Sequence, residues 1–415
     1  MNKRTIYRLS QNIISLFAVK GIDLVLTLFL IPFLIVKVGI HNYGIYAFAM
    51  SLMLFFVNVL NYGFDLSAVR ELAIHKDDPS KVAEIVNMVI SVKFCLIIII
   101  YVIIIGLILL VPIFFENRIM YVFSSLLLVG DLFSVRWFFL GLEKMKFISI
   151  MSTVSTIIYV LVVLFLIKFQ SDFIYIPIAE AIGMFLVSFI SFLWVLNKYE
   201  IKFKLLPFSK ITIYLKANFS SFINLLLPST YGLTTIFLVG VFGVPYDVTI
   251  IQIGMKFTSA FSTVNTIMST VFYPMVNRDK KNMRPTRLVL LCLGFVLSIC
   301  MFFGSHFLIV NWLKLESSTD LKYTIQLIKI LSPIPFLMGV ISSYGVNGIL
   351  VYFKDKLYSK ITVSTTLLMV GFAAYLVPKY HFFGGGIAFL FGRLLYAILL
   401  FMAFYVTNER LHKIN

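Results

Sequence analysis

Ten ionisable side chains lie inside stretches of sequence that are otherwise apolar. They are the cations Lys20, Lys93, Arg136, Lys256, Lys329 and Arg393, and the acids Asp23, Asp65, Asp131 and Glu180. A charge facing hydrocarbon at the centre of a bilayer costs about 2.5–3.5 kcal/mol, so six cations so placed would cost roughly 15–20 kcal/mol. That exceeds the net stability of a typical fold. Most of them must therefore face protein or water, or reach an interface along their own alkyl stems. Arg136, close to the end of its apolar run, is best placed to do the last. The chemistry open to such groups is electrostatic: cations in a wet cavity attract an anionic group, and carboxylates there exchange a proton or hold a sodium ion.

The segment around Lys256 carries the clearest pattern. At 100° per residue, Gln252, Lys256, Ser259, Thr263, Thr266 and Thr270 fall within an arc of about 80°, while the rest of that helix is mostly apolar. Small hydroxyl residues alone also serve as contacts between membrane helices. With a lysine and a glutamine in the same stripe, the pattern predicts a face that lines something wet. Lys20, Asp23 and Thr27 share a face in the same way, as do Asn58, Asn61, Tyr62 and Asp65. Asn218, Ser221, Asn224, Tyr231 and Thr235 form a further cluster, Lys329 stands near Gln326, and Arg393 lies one turn from Tyr396. A local Lys20–Asp23 pair at i,i+3 is an equally good reading of those two residues.

The elements that must position these residues are transmembrane helices. The 415-residue chain is 60% hydrophobic and 13% charged, against about a quarter charged in an ordinary soluble domain. Apolar runs predict twelve spans, near 11–37, 45–68, 84–112, 119–141, 147–168, 173–196, 217–242, 247–276, 288–312, 323–350, 357–378 and 384–407. Pro32, Pro228, Pro333 and Pro335 are the expected bending points. The opening "MNKRTIYRLSQN" is followed by a run holding Lys20 and Asp23 with no small-residue cleavage site, so it is expected to lead into a retained first span.

Of the 35 Lys and Arg, 23 fall in the termini and in the loops on the side of the N-terminus, and six in the loops and span ends opposite. This bias places both termini in the cytoplasm. It also explains the net charge of +17 without nucleic acid. The longest inner loop, 197–216, divides the chain into six-span halves, 1–206 and 207–415, whose repeat would be parallel. The outer loops are short and leave no room for an extramembrane domain. An all-α integral membrane protein with about twelve transmembrane helices in two six-helix bundles around a central cavity is the expected fold.

Signals for other chemistry are weak. The three cysteines, Cys95, Cys292 and Cys300, lie in apolar spans, and the five histidines have no metal-ligand spacing, so no metal or other cofactor is expected. The Gly run at 384–386 has no preceding strand and no following Lys-Ser/Thr, and reads as helix packing or a hinge. The embedded charges are unevenly shared, with all four acids in the first half and three cations without an acid in the second. The expectation is that the second half attracts an anionic group while Asp23, Asp65, Asp131 and Glu180 couple the cycle to a proton or sodium gradient.

Several stretches carry a family resemblance: "VGIHNYGIYAF" (38–48), "NYGFDLSAVREL" (61–72), "WFFLGLEKMKFISI" (137–150), "VFYPMVNRDK" (271–280), "ILSPIPF" (330–336) and "VPKYHFFGGG" (377–386). Over essentially the whole chain the sequence resembles the bacterial polysaccharide repeat-unit (O-antigen, Wzx-type) flippases of the multidrug/oligosaccharidyl-lipid/polysaccharide exporter superfamily. The resemblance implies two six-helix bundles around a cavity of alternating access. The implied substrate is an undecaprenyl-diphosphate-linked oligosaccharide, moved from the inner to the outer leaflet of the bacterial inner membrane. A polymerase and chain-length machinery would act on it afterwards.

On that reading Lys20, Lys93, Gln252, Lys256, Ser259, Thr263, Lys329 and Arg393 line the substrate path, and Tyr62, Tyr231 and Phe257 are candidate sugar platforms. No arginine triad of the kind associated with cell-wall-precursor flippases is present, and lysine, a point charge, takes its place. Two rival readings are a cation-coupled multidrug or other precursor exporter of the same superfamily, and a membrane-embedded glycosyltransferase, polymerase or ligase. The second half's embedded cations, with no embedded acid in that half, argue against the first. The second lacks a sizeable outer loop with catalytic Asp, Arg or His.

Overall fold

The computed structural model describes residues 21, 25–26, 28–313, 317–352 and 354–412, with side chains as far as Thr407. Lys20, Asp23 and Thr27 lie outside the described residues. The described chain is helical throughout, without a strand: α1 (Leu28–Val38), α2 (Ile40–Leu60), α3 (Ser67–His75), α4 (Pro79–Leu110), α5 (Pro112–Glu116), α6 (Arg118–Leu132), α7 (Arg136–Gly141), α8 (Met145–Leu166), α9 (Ile176–Lys198), α10 (Phe208–Phe242), α11 (Pro245–Arg278), α12 (Met283–Leu313), α13 (Ser318–Leu331), α14 (Ile334–Val340) and α15 (Asp355–His412).

Among the described residues, nine helical segments are long and apolar enough to cross a bilayer. The segment Leu28–Val38 covers part of the first expected span. The segment Asp355–Thr407 counts once but holds two spans, because His381 (φ 48°, ψ −127°) breaks α15. At about 1.5 Å per residue an unbroken helix of that length would far exceed a hydrocarbon core of roughly 30 Å. The remaining span is α11, whose 34 residues suffice in length but which is too polar to count among the nine. Nine, the partial first span, the second half of α15 and α11 make twelve. The protein is a multi-pass membrane protein.

Helix ends follow local chemistry. Asp78 caps α4, its carboxylate accepting from the backbone N–H of Ser80 (2.9 Å) and Lys81 (3.2 Å), with Pro79 in the first turn where no N–H is needed. The Ser80 hydroxyl and these amides hold the Asp78 carboxyl below its usual range. The span carrying Asp65 stops sooner than its apolarity predicts. Tyr62 (φ 41°) and Gly63 (φ 75°) turn the chain after Leu60, so Asp65 sits in the turn before α3 and not in a membrane helix. A Cβ at Gly63 would come 2.7 Å from the backbone N of Phe222, so this turn needs glycine for its packing as well as for its φ.

Of the expected bends, Pro333 interrupts its span. The helix ends at Leu331, resumes as α14, and widens into a π-helical segment at Ile341–Ile349. Broken backbone at membrane depth must find other partners. The buried Asn265 amide donates to the Pro335 carbonyl (2.8 Å), the Phe336 N–H donates to Ser298 Oγ (2.9 Å), and Asn347 Nδ2 donates to the Ser342 carbonyl (3.1 Å). Pro32 and Pro228 lie within continuous helix.

By their contacts the described residues form two compact units, one of residues 25–233 and one from Thr234 onward, the division falling inside α10. In the first, α6 and α8 pack on α9, and α3 packs on α7. In the second, α11 packs on α12, α13 and the broken span. The 384–386 glycines are packing positions there. A Cβ at Gly385 would meet Val239 and one at Gly386 would meet Leu327, while one at Gly384 would come 2.5 Å from the Leu376 carbonyl oxygen.

Candidate functional site

The accessible surface of a membrane helix is normally apolar, because it meets lipid. Most of the chain obeys this. Ile98, Val102, Leu109 and Leu110 are exposed on α4, Leu161 and Phe165 on α8, and Phe295, Phe303 and Phe307 on α12.

The helix α11 does the opposite. From Tyr246 to Tyr273 its exposed residues are Lys256, Ser259, Thr266 and Thr270, with Gln252 and Thr263 half-buried between them. No large hydrophobic side chain of this helix is exposed. Ile250, Ile251, Ile253, Met255, Phe257, Ile267 and Val271 are buried, and Phe261, Val264, Met268 and Phe272 are half-buried. The stripe predicted from helical angle is therefore the outward face of the helix within its own unit.

The hydroxyl geometry separates the two readings of that stripe. Thr263, Thr266 and Thr270 donate to the carbonyls of Ser259 (2.8 Å), Ser262 (3.2 Å) and Thr266 (2.8 Å), each four residues back on the same helix. Their protons are used inside the helix, not across to a neighbour. What remains outward is the acceptor lone pairs of these hydroxyls, with the Gln252 amide and the Lys256 ammonium, a face that can be hydrated.

The other expected residues fall in different settings. Lys93 and Asp131 are partners of each other. The Lys93 ammonium lies 3.2 Å from Asp131 Oδ2 and donates to the Asp131 carbonyl oxygen at 2.8 Å, with the lysine wholly buried. A lysine without exposed surface offers nothing to a substrate in this conformation, and a carboxylate neutralised by it is already satisfied. Both act first as core.

Glu180 has a different environment. It is half-buried on α9, and Tyr46 Oη donates to its Oε2 at 2.9 Å while standing 3.3 Å from Tyr159 Oη. Tyr43 packs beside Tyr46, with ring centroids 5.7 Å apart. The arrangement is a carboxylate at the end of a tyrosine hydroxyl chain, and Glu180 is one of the four first-half acids expected to serve coupling. The tyrosines were not singled out as partners. Tyr43 and Tyr46 stand at i,i+3 in a run of small and apolar residues, a spacing that could have marked them.

Lys329 and Gln326 are exposed on α13, and the Lys329 ammonium lies 5.5 Å from the Phe302 ring centroid on α12, beside the apolar outward face of that helix. Arg393 is half-buried, with its guanidinium 5.4 Å from the Phe389 ring. Neither contact joins the α11 stripe. Arg136 is exposed at the first position of α7, just past the interruption at 133–135.

The aromatic candidates are packed. Tyr62 stacks on Phe222 (4.5 Å, 8°) and donates to the Leu215 carbonyl at 3.0 Å, Phe257 lies 5.7 Å from Trp312, and Tyr231 is buried. None of the three presents a free ring face to a sugar. Among the described residues no group of three or more His, Cys, Asp or Glu could hold a metal ion.

These helices make a multi-pass membrane protein in which α11 carries a polar, cationic face. The chain belongs to the polysaccharide biosynthesis protein family, whose profile matches residues 9–278. It is 25% identical over 411 residues to an Escherichia coli (strain K12) protein described as "Putative O-antigen transporter", covering 97% of this chain and 98% of that one. A Shigella dysenteriae protein of the same description is 23% identical over 400 residues, covering 95% and 99%. Among solved structures, the lipid II flippase MurJ in an inward closed conformation superposes with a TM-score of 0.73 at 17% identity, over 94% of this chain and 87% of that one. An inward-facing multidrug resistance MATE family transporter of the MOP superfamily gives 0.67 at 13% identity, over 94% and 96%. These relatives and neighbours are transporters and flippases, not enzymes, and the structural likeness defines the fold.

Proposed function

We propose that this protein is a flippase that moves a lipid-linked oligosaccharide, the repeat unit of an O-antigen or related polysaccharide, between leaflets of the bacterial inner membrane. The observation that carries the reading is the outward face of α11, Lys256 among hydroxyl acceptors, on a helix that exposes no large apolar side chain. A phosphorylated headgroup needs a cation and a wet surface, and a sugar needs acceptors, while the lipid tail stays in the bilayer. The names of the relatives support the substrate class, and undecaprenyl diphosphate is the carrier that fits it. Alternating access around a central cavity is the mechanism proposed here, in keeping with the family resemblance.

Both termini lie in the cytoplasm on this reading, since 23 of 35 Lys and Arg stand on that side. Glu180 is the coupling group, binding and releasing a proton or sodium ion through the cycle. Asp131 is spoken for by Lys93. The polymerase and chain-length machinery act downstream of the flipped unit.

The decisive experiment is deletion of the gene in its native background, with the lipid-linked unit followed by leaflet-specific labelling. Surface polymer should be lost and the unit should accumulate on the cytoplasmic side, with rescue by the native chain and not by Lys256→Gln. Full-length polymer in the deletion strain, with no second transporter present, overturns the assignment. Export of cationic drugs by the purified chain without movement of the lipid-linked unit would favour the multidrug reading.

A further inference from the structure

The segment joining the two halves is built into the molecule in a way that neither topology nor transport requires. Residues 201–207 form no helix between α9 and α10, and the spacing of their bonds to α4 is that of an extended chain. Their backbone is held by one side chain of α4. Asn87 Nδ2 donates to the Lys202 carbonyl at 3.0 Å, and Asn87 Oδ1 accepts from the Lys204 N–H at 3.0 Å. One turn further on, Ser91 Oγ accepts from the Leu206 N–H at 2.9 Å, while its own proton goes to the Asn87 carbonyl. An amide that takes both a carbonyl and an N–H from an extended chain holds it as a neighbouring strand would. Lys202 and Lys204 therefore share one side of the strap and Phe203 and Leu205 the other.

The two sides have different chemistry and both are exposed. Phe203 touches Phe94 and Phe192 through one edge yet keeps 44% of its surface, and Leu205 keeps 59%. Phe208, at the start of α10, keeps 67%. Opposite them, Lys202 and Lys204 are exposed, followed by Lys210, with Glu200 the one acid in 197–216.

The depth is set by α4. Its uninterrupted apolar stretch, 94–110, covers about 25 Å at 1.5 Å per residue, close to a hydrocarbon core. Asn87 stands two turns before that stretch, near the start of the 84–112 run, which on this count is the level of lipid headgroups. Nearby, Trp194 keeps 39% of its surface one turn before Lys198, and the Lys144 ammonium donates to Tyr199 Oη at 3.0 Å. Amphipathic aromatics at this depth mark a membrane interface.

We infer that the strap at 201–207 is a binding surface for anionic phospholipid, with Phe203 and Leu205 seated among acyl chains and Lys202 and Lys204 against headgroup phosphates. Asn87 and Ser91 hold it in the interfacial plane. A basic loop that only set topology would need neither the amide clamp nor exposed apolar residues alternating with the lysines. The site is separate from the α11 face and stands whether or not the transported substrate is the one proposed above.

The test uses the full chain, purified, delipidated and titrated with phosphatidylglycerol or phosphatidylcholine, with bound lipid counted by native mass spectrometry. Phosphatidylglycerol should be retained in preference. Lys202→Gln with Lys204→Gln should lower that preference by about fivefold per lysine at low salt. Asn87→Ala, which changes no charge, should lower it as well by freeing the strap. Equal retention of the two lipids, or a preference untouched by the double lysine change, overturns the inference. So does complete displacement of the lipid by inorganic phosphate, which would mark a phosphate pocket instead of a lipid surface.

Discussion

Lys93 and Asp131 neutralise each other in the core of the first unit, 3.2 Å apart, with side-chain exposures of 0% and 6%. The second bond, from the Lys93 ammonium to the Asp131 backbone carbonyl, ties α4 to the last turn of α6. Removing one partner of a buried pair leaves an uncompensated charge and costs about 3–5 kcal/mol, whereas replacing both by apolar groups of similar size is often neutral. Lys93→Met and Asp131→Leu should each lower the thermal stability of the detergent-purified protein sharply, and the double change should recover most of the loss. Single variants that stay as stable as the native chain but stop transporting would instead return the pair to the transport machinery.

Lys256 should behave in the opposite way. It is exposed, so Lys256→Gln should leave the unfolding temperature nearly unchanged. A charge-assisted bond to a phosphate contributes about 1.5–3 kcal/mol, so affinity for the lipid-linked unit should fall roughly 10- to 100-fold. Lys256→Arg should retain much of it. Flipping rate in vesicles, compared at several substrate densities, distinguishes this loss of binding from a loss of fold.

Glu180→Gln keeps an acceptor for Tyr46 while removing the exchangeable charge. If Glu180 couples the cycle, the variant should fold normally yet lose acceleration by an imposed ion gradient. Its flipping rate should become flat across the pH range in which the native rate changes. Tyr46→Phe should shift that range without abolishing the response, since Tyr46 steadies the carboxylate and does not carry the ion. A gradient response retained in full by Glu180→Gln excludes the role.

The glycines at 384–386 separate two kinds of crowding. At Gly386 the added methyl would meet the tip of Leu327, a flexible side chain, whereas at Gly384 it would meet the Leu376 carbonyl in the backbone. Gly384→Ala should be the more damaging by about 1–3 kcal/mol, the usual cost of overpacking, read as lower stability or yield. Equal tolerance at both positions would show that the two halves of α15 can separate at little cost.

The helical class, the span count and the α11 stripe were legible in the sequence because each depends on a periodicity of type and not on a partner. Gln252, Lys256, Ser259 and Thr263 align by angle alone. The pairing of Lys93 with Asp131 was not legible, since 38 residues separate them and only packing decides which neighbour a buried charge meets. Asp65 was misplaced for a different reason. Apolar residues continue past Leu60, and the turn that ends the helix depends on the positive φ of Tyr62 and Gly63. Pro333 broke its span while Pro228 did not break α10. The former has side chains such as Asn265 and Ser298 waiting for the released backbone.

The polarity of α11 also bears on how the protein is made. A helix too hydrophilic to partition by itself cannot leave the insertion machinery for lipid as soon as it is synthesised. Its neighbours α12 and α13, which cover its greasy side, are translated after it. Nascent chains halted between residues 278 and 283 should therefore remain accessible to aqueous probes along this segment. Chains extended past Leu331 should become protected, so that biogenesis waits on the next two helices.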